Sequence, residues 1–239
     1  MIVQRAPAKI NLFLHVGTRR ADGFHPLQSL AVFTGMGDVL GIEPASDLSL
    51  KIGGPFAKGL DGEGDNLVLR AARALDGQGA ELSLTKNLPV ASGIGGGSAD
   101  AAAALRGLNT LWNCGKNEAA LCEIAAALGS DIPVCVLSAP SFMEGRGEIL
   151  RAPESMPRLP MLLVNPKVAV PTKEVFAALK ERSGATCFGI FADDDCCARA
   201  AKVLAEAAPG WWVASTFVPQ TGIATEGIGK DIGPGPDGL

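Results

Sequence analysis

The sequence has no tyrosine, only two histidines and no excess of positive charge, and each shortage removes a class of function. Lys plus Arg number 21 against 25 for Asp plus Glu, a formal charge of −4, and the cations are scattered. A surface that grips nucleic acid through its phosphates needs a basic excess or a concentrated patch, so no nucleic-acid partner is expected. Two histidines and six cysteines without a C-x-x-C pair argue against a structural zinc site. Long apolar runs are also missing. A membrane-crossing helix needs about 18 apolar residues in a row, and the best segments, 132–143 and 211–224, are interrupted by Pro, Gly, Ser or Thr. Lys9 breaks the early apolar stretch where a secretory leader would need its longest uncharged run. The expected compartment is therefore a reducing cytoplasm, with the cysteines present as thiols.

What is present suits a globular protein. The chain is 239 residues long and 47% hydrophobic, enough to bury roughly 70–75% of its unfolded surface without a disulfide or metal staple. Apolar runs at Ile10–Val16, Leu27–Phe33 and Val39–Ile42, separated by Gly and Asp, predict a group of strands. A helix fits Asp65–Asp76 with Asp65 as cap, and a strand fits Glu81–Thr85. Another helix fits Asn117–Leu128, with Asn117 at its start and Gly129 past its end, and a strand follows over Val134–Leu137. The proline-rich stretch 152–160 predicts a boundary. Beyond it, strands are expected at Met161–Val164, Thr186–Phe191 and Trp211–Phe217, and helices at Thr172–Lys180 and Asp193–Ala208. The domains read as 1–152, 160–217 and a loose, Gly- and Pro-rich tail at 218–239.

The densest local signal is Gly93-Ile94-Gly95-Gly96-Gly97-Ser98, lying between a strand and a helix that begins near Ser98. Glycines let a backbone turn with positive φ and let a ligand approach where a Cβ would block it. The helix start adds unpaired amides and the positive end of its dipole, which together suit a phosphate. Two common phosphate motifs fail here. No lysine follows the loop as a P-loop requires, and Ser98 stands where a dinucleotide fingerprint needs Gly or Ala. Taken alone, Lys9 reads as a solvated strand charge and Asp131 as a turn or cap residue.

Four motifs change that reading: Ala6-Pro-Ala-Lys-Ile-Asn-Leu12, Asp22-Gly-Phe-His-Pro-Leu-Gln-Ser29, Pro89-x-x-x-Gly93 to Asp100, and Gly129-Ser-Asp-Ile-Pro133. In this order they resemble the 4-diphosphocytidyl-2-C-methyl-D-erythritol kinases, a family of the GHMP kinase superfamily. The resemblance implies an α+β fold of two subdomains with the active site in the cleft between them, the second subdomain being ferredoxin-like. It implies transfer of phosphate from ATP, with Mg²⁺, to the 2-hydroxyl of 4-diphosphocytidyl-2-C-methyl-D-erythritol on the non-mevalonate route to isoprenoids. Under the resemblance Asp131 is the general base and Lys9 its neighbour, while Pro89, Gly93, Ile94, Gly95, Gly96, Gly97 and Ser98 hold ATP. Asn11 lies near the reacting hydroxyl, His25 on the base edge, and Phe24 and Phe176 stack on the cytosine. Phe24 stands where the family usually has tyrosine. No residue is assigned as a dedicated metal ligand. Around Lys180–Ser183 the family carries several dozen further residues, so the second subdomain is shortened. That shortening makes a binding-only relative, impaired in catalysis, the second reading.

Overall fold

The computed structural model describes residues 1–20, 23, 25–58, 60, 66–75, 79–167 and 186–220. Two long antiparallel strands, β1 (Ile2–Val16) and β2 (Leu27–Pro44), form its spine. Along its free edge β2 pairs first with β5 (Ser141–Gly145) and then with β4 (Ala80–Thr85). The short β3 (Leu48–Gly53) runs parallel to β4, and β6 (Ile149–Arg151) completes the sheet beside β5.

The three apolar runs of the sequence are thus two strands, because Gly37 and Asp38 lie within β2 instead of ending it. A Cβ on Gly37 would run into the Ala6 carbonyl and Pro7 of β1, so only glycine permits that approach. Asp38 stays in the buried strand because its carboxylate is fully partnered, as described below.

The helix α1 (Leu67–Ala74) starts at Asn66, whose Oδ1 accepts a bond from the Val68 amide at 2.9 Å. Asp65, the expected cap, lies outside the described residues. Replacement Asn66→Ala is expected to lower stability by about 1 kcal/mol, read as a shift of the urea midpoint; no shift would show that the cap is replaced by solvent.

The next helix, α2 (Gly96–Leu111), begins two residues before the expected Ser98. Its alanines 99 and 101–104 are at most 1% exposed. Small side chains on this much of a helix let it pass close to β1, β2 and α1, with Leu105 and Leu108 filling the remaining space. Helix α3 (Glu118–Leu128) starts as predicted, with Asn117 Oδ1 accepting from the Ala120 amide at 2.9 Å.

Residues Ile132–Leu137 are a helix, α4, and not the expected strand. The apolar run Ile-Pro-Val-Cys-Val-Leu reads as a buried strand by periodicity alone, but Pro133 favours a first helical turn, where its fixed φ and missing N–H cost nothing. The carbonyls at the far end of α4 are held by Arg106 of α2. Its guanidinium donates to the oxygens of Cys135 and Val136, to Ser138 Oγ and to the carbonyl of Arg5 on β1. One half-buried cation therefore fastens α4, α2 and β1 together.

A second antiparallel sheet has β7 (Leu159–Asn165) between β8 (Cys187–Ile190) and β9 (Trp212–Val218), with α5 (Asp194–Ala207) packed on it. Asp193 caps α5 by accepting from the Cys196 amide. The expected helix at Thr172–Lys180 and most of the expected tail lie outside the described residues. The two sheets share an apolar cluster: Ala8, Ile10 and Val32 from the first, Met161, Leu163 and Val218 from the second, and Leu88 and Ile94 from the glycine-rich segment between. Burial of Ile94 at this junction anchors a loop that would otherwise have little apolar surface to hold it. Among the described residues no helix is long and apolar enough to cross a membrane.

Candidate active site

The glycine loop enters α2 through Gly93 and Gly95, both at positive φ (78° and 68°). Gly95 occupies the N-cap position, so no side chain closes the helix start. The first helical bond runs from the Ala99 amide to the Gly95 carbonyl, and the amides of Gly96, Gly97 and Ser98 have no acceptor within the helix. Three outward donors at the positive end of a 16-residue helix suit an anion. Pro89 is buried at the loop's start, and its carbonyl accepts from Ser92 Oγ at 2.6 Å.

Lys9 lies directly under this loop. Its amide donates to the Ile94 carbonyl at 2.9 Å, and a Cβ on Gly95 would sit 3.0 Å from the Lys9 Cβ. A side chain at position 95 would therefore press on the lysine as well as strain the turn. The Lys9 ammonium is 3% exposed and reaches Asp131 Oδ2 at 3.1 Å and Asn11 Oδ1 at 3.2 Å. Three of the predicted site residues thus meet at one point, beside the loop.

Asp131 precedes α4 in the N-cap position but makes no capping bond there. Its carboxylate, 44% exposed, turns instead to Lys9. An aspartate that leaves its own helix start unsatisfied in order to face a buried lysine is not serving as a cap. His25 sits in the β1–β2 connection, where its Nδ1 lies 2.9 Å from the Gly17 carbonyl, and no described hydrogen bond joins it to Lys9 or Asp131. Phe24 and Phe176 lie outside the described residues.

Sequence reasoning missed a second charged group, next to the first. Lys86 Nζ is bonded to Asp38 Oδ2 and, at 2.6 Å, to Asp100 Oδ2. The other Asp38 oxygen accepts from the amides of Asn87 and Leu88 at 2.6 and 2.9 Å. All three residues are at most 4% exposed. Asp38 could have been found as an acid inside an otherwise apolar strand, a position that demands a buried partner. Lys86, one residue past a strand and before the loop, carries no such signal.

Burial pushes the Asp100 carboxyl up to about 7; the Asp38 charge adds to the shift and Lys86 opposes it. Burial lowers the Lys86 value, but the two carboxylates outweigh it and leave the ammonium above its ordinary range. Asp100 consequently binds its proton more tightly in the folded chain than in the unfolded one, where 3.8 is ordinary. Its contribution to stability is greatest below about 4 and is lost as pH rises through about 7. In Asp100→Asn the urea midpoint is expected to vary less between pH 5 and 8 than in the wild type; an unchanged slope would place the titration elsewhere. Cys135, by contrast, is an inert thiol, pushed up to about 12 by burial.

Among the described residues no three His, Cys, Asp or Glu side chains cluster as a metal cage. Ser98, half-buried in the first turn of α2, is the predicted loop residue with an oxygen to offer.

Comparison with known proteins fits this geometry. A family model for the N terminal domain of GHMP kinases matches residues 66–139, from the start of α1 to just past α4. A 4-diphosphocytidyl-2-C-methyl-D-erythritol kinase of Parvibaculum lavamentivorans is 39% identical, over 89% of this chain and 96% of the relative. One from Ruegeria pomeroyi is 42% identical, over 87% and 96%. The first alignment spans 279 residues, more than the 239 of this chain, so the relative carries an internal segment that is absent here. A crystal structure of 4-(cytidine 5'-diphospho)-2C-methyl-D-erythritol kinase superposes with a TM-score of 0.75 at 27% identity, covering 91% of this chain and all of that one. The mevalonate kinase of L. major (13% identical, TM-score 0.71, covering 92% of this chain and 96% of that one) shares the fold. With such identity over nearly the whole length of its relatives, and an open glycine helix facing a buried lysine, the chain belongs to the 4-diphosphocytidyl-2-C-methyl-D-erythritol kinase family within the GHMP kinase fold.

Proposed function

We infer that this chain is an ATP-dependent kinase that phosphorylates the 2-hydroxyl of 4-diphosphocytidyl-2-C-methyl-D-erythritol. The observation that carries the reading is the Lys9–Asp131 pair held against the uncapped start of α2. Phosphoryl transfer asks little covalent chemistry of a protein; it asks that the triphosphate be held, its charge offset and the accepting hydroxyl aligned. The amides of Gly96, Gly97 and Ser98 hold phosphate oxygens, and Gly93, Ile94 and Gly95 shape the approach. Pro89 starts the loop wall along which the nucleotide lies. The half-exposed Asp131 carboxylate accepts the proton of the 2-hydroxyl. Lys9 uses two of its three N–H groups on Asp131 and Asn11, which leaves the third for the transferring phosphoryl group. Because that ammonium is fixed before substrate arrives, it stabilises developing charge without reorganising.

Bound with the triphosphate, magnesium would supply charge neutralisation, and Ser98 is the side chain of this chain that would help to hold it. Asn11, bonded to Lys9, adjoins the reacting hydroxyl. His25, Phe24 and Phe176 take the cytosine at the far end of the substrate. The two sheets correspond to subdomains at 1–152 and 160–217, and the enzyme works in the cytoplasm on a small molecule.

The test is ADP release from ATP and Mg²⁺ with and without 4-diphosphocytidyl-2-C-methyl-D-erythritol. Release that depends on this substrate supports the reading. A folded protein that binds ATP but releases no ADP would leave the binding-only relative in its place.

A further inference from the structure

The transfer as derived uses Lys9, Asp131, Asn11 and the loop amides, and leaves the buried charges of Asp38, Lys86 and Asp100 without a task. A buried ion cluster is a poor way to stabilise a fold, since apolar residues of the same volume often do as well or better. We propose that Asp38, Lys86 and Asp100 are positioning residues for the kinase reaction: they tie the two ends of the glycine loop together and, through the loop, set the place of Lys9.

The geometry runs in one connected path. Asp38 Oδ1 receives the amides of Asn87 and Leu88, which lead into the loop. Asn87 Nδ2 adds a bond to the Gly37 carbonyl at 3.1 Å, so the entry is fastened to β2 on two sides. Asp100 stands in the second turn of α2, just past the loop's exit, and Lys86 joins it to Asp38. Lys86 is itself fixed through both backbone groups, its amide on the Gly53 carbonyl at 2.8 Å and its carbonyl receiving the Phe56 amide at 3.2 Å. Within the clamp so formed, the Ile94 carbonyl receives the Lys9 amide. A Cβ on Gly96 would lie 3.5 Å from Lys86 Nζ and 3.6 Å from Asp38 Oδ2, so the triad directly underlies the first residue of the helix. Shifting α2 along its axis would change the loop span and displace both the phosphate amides and Lys9.

Around Asp100 the facing charged groups are Lys86 beyond β4 and Asp38 on β2, and α4 brings Cys135, whose thiol the Asp100 charge also raises. Among the described residues one Asp100 oxygen, Oδ1, is buried without a hydrogen-bond partner, and the other is held by Lys86 beside the Asp38 carboxylate. Cutting this one link should therefore release the exit of the loop while the Lys86–Asp38 pair still holds its entry.

The inference rests on the kinase reading for its consequences in catalysis, but its mechanical part can be tested without turnover. In wild-type protein, native-state amide exchange across rising urea is expected to show Lys9, Asn87 and Leu88 opening in one event, since one clamp protects all three. Separate openings overturn the proposal whether or not the protein is active, whereas missing substrate-dependent ADP release overturns only the kinase reading. In Asp100→Leu, Lys9 amide protection is expected to fall at least tenfold while Asn87 and Leu88 stay protected. The KM for ATP should rise and kcat fall, each by about tenfold or more, with the KM for the cytidyl substrate within twofold. Asp100→Asn, which keeps an acceptor for Lys86, should restore both values most of the way. Unchanged Lys9 protection and ATP KM in a folded Asp100→Leu, or equal rises in both KM values, would overturn the proposal; should that variant not fold, the wild-type exchange experiment decides alone.

Discussion

Asp131→Asn is expected to lower kcat by about 10²–10⁴-fold while both KM values stay within a few fold. The amide keeps the size of the side chain and an oxygen for Lys9, so the geometry around α4 survives, but it cannot take a proton. Two features argue that the fold will tolerate the change. Asp131 is 44% exposed, and it contributes no cap to α4, so no helix end is uncovered by its loss. Within the range, the lower end is favoured by a loose transition state, in which little negative charge has to develop on the attacking oxygen before the phosphoryl group leaves. Retention of more than a tenth of kcat would show that Asp131 only orients the hydroxyl and that solvent removes the proton. Steady-state kinetics with both substrates varied distinguishes these results.

Lys9→Met should lower kcat by about 10²–10³-fold, with the KM for ATP raised by less than tenfold because the α2 amides remain. Methionine fills most of the volume of the lysine stem and introduces no buried charge. The partners left behind are a half-exposed carboxylate and a partly buried Asn11, which water can satisfy. Lys9→Arg is not expected to restore activity. The lysine stem already lies 3.0 to 3.3 Å from where a Gly95 side chain would begin, which leaves little room for a planar guanidinium. Full activity in Lys9→Met would remove the ammonium from the mechanism and leave the loop amides and the metal to offset the charge alone.

The sequence disclosed these residues through motif order more than through periodicity. Lys9 could not be told from a surface charge by the alternation of its strand, because Ala6 through Ile10 are buried without a break and the strand has no solvent face there. Asn117 was legible as a cap because the side-chain rule behind it is local. The strand expected at Val134–Leu137 became a helix for a reason that periodicity does not carry: over six apolar residues strand and helix look alike, and the decision falls to Pro133 and to the hold of Arg106 on the carbonyls. Gly37 and Asp38 likewise read as a break, since a long-range carboxylate pairing across 48 residues to Lys86 leaves no mark on the local pattern. Strands β3, β5 and β6 were missed because they are short, at three to six residues, and carry little periodic pattern of their own.

The bond from the Lys9 amide to the Ile94 carbonyl has a second effect. Among the described strands β1 pairs with β2 alone, so its other side is an open edge, and an open edge invites a strand from another molecule. The loop proposed to receive the nucleotide lies across that edge and takes up the amide of Lys9. The glycines proposed to make room for a triphosphate thus also shield the chain from edge-to-edge association, and a loop widened to accept a bulkier nucleotide would gain its new specificity at some cost in solubility.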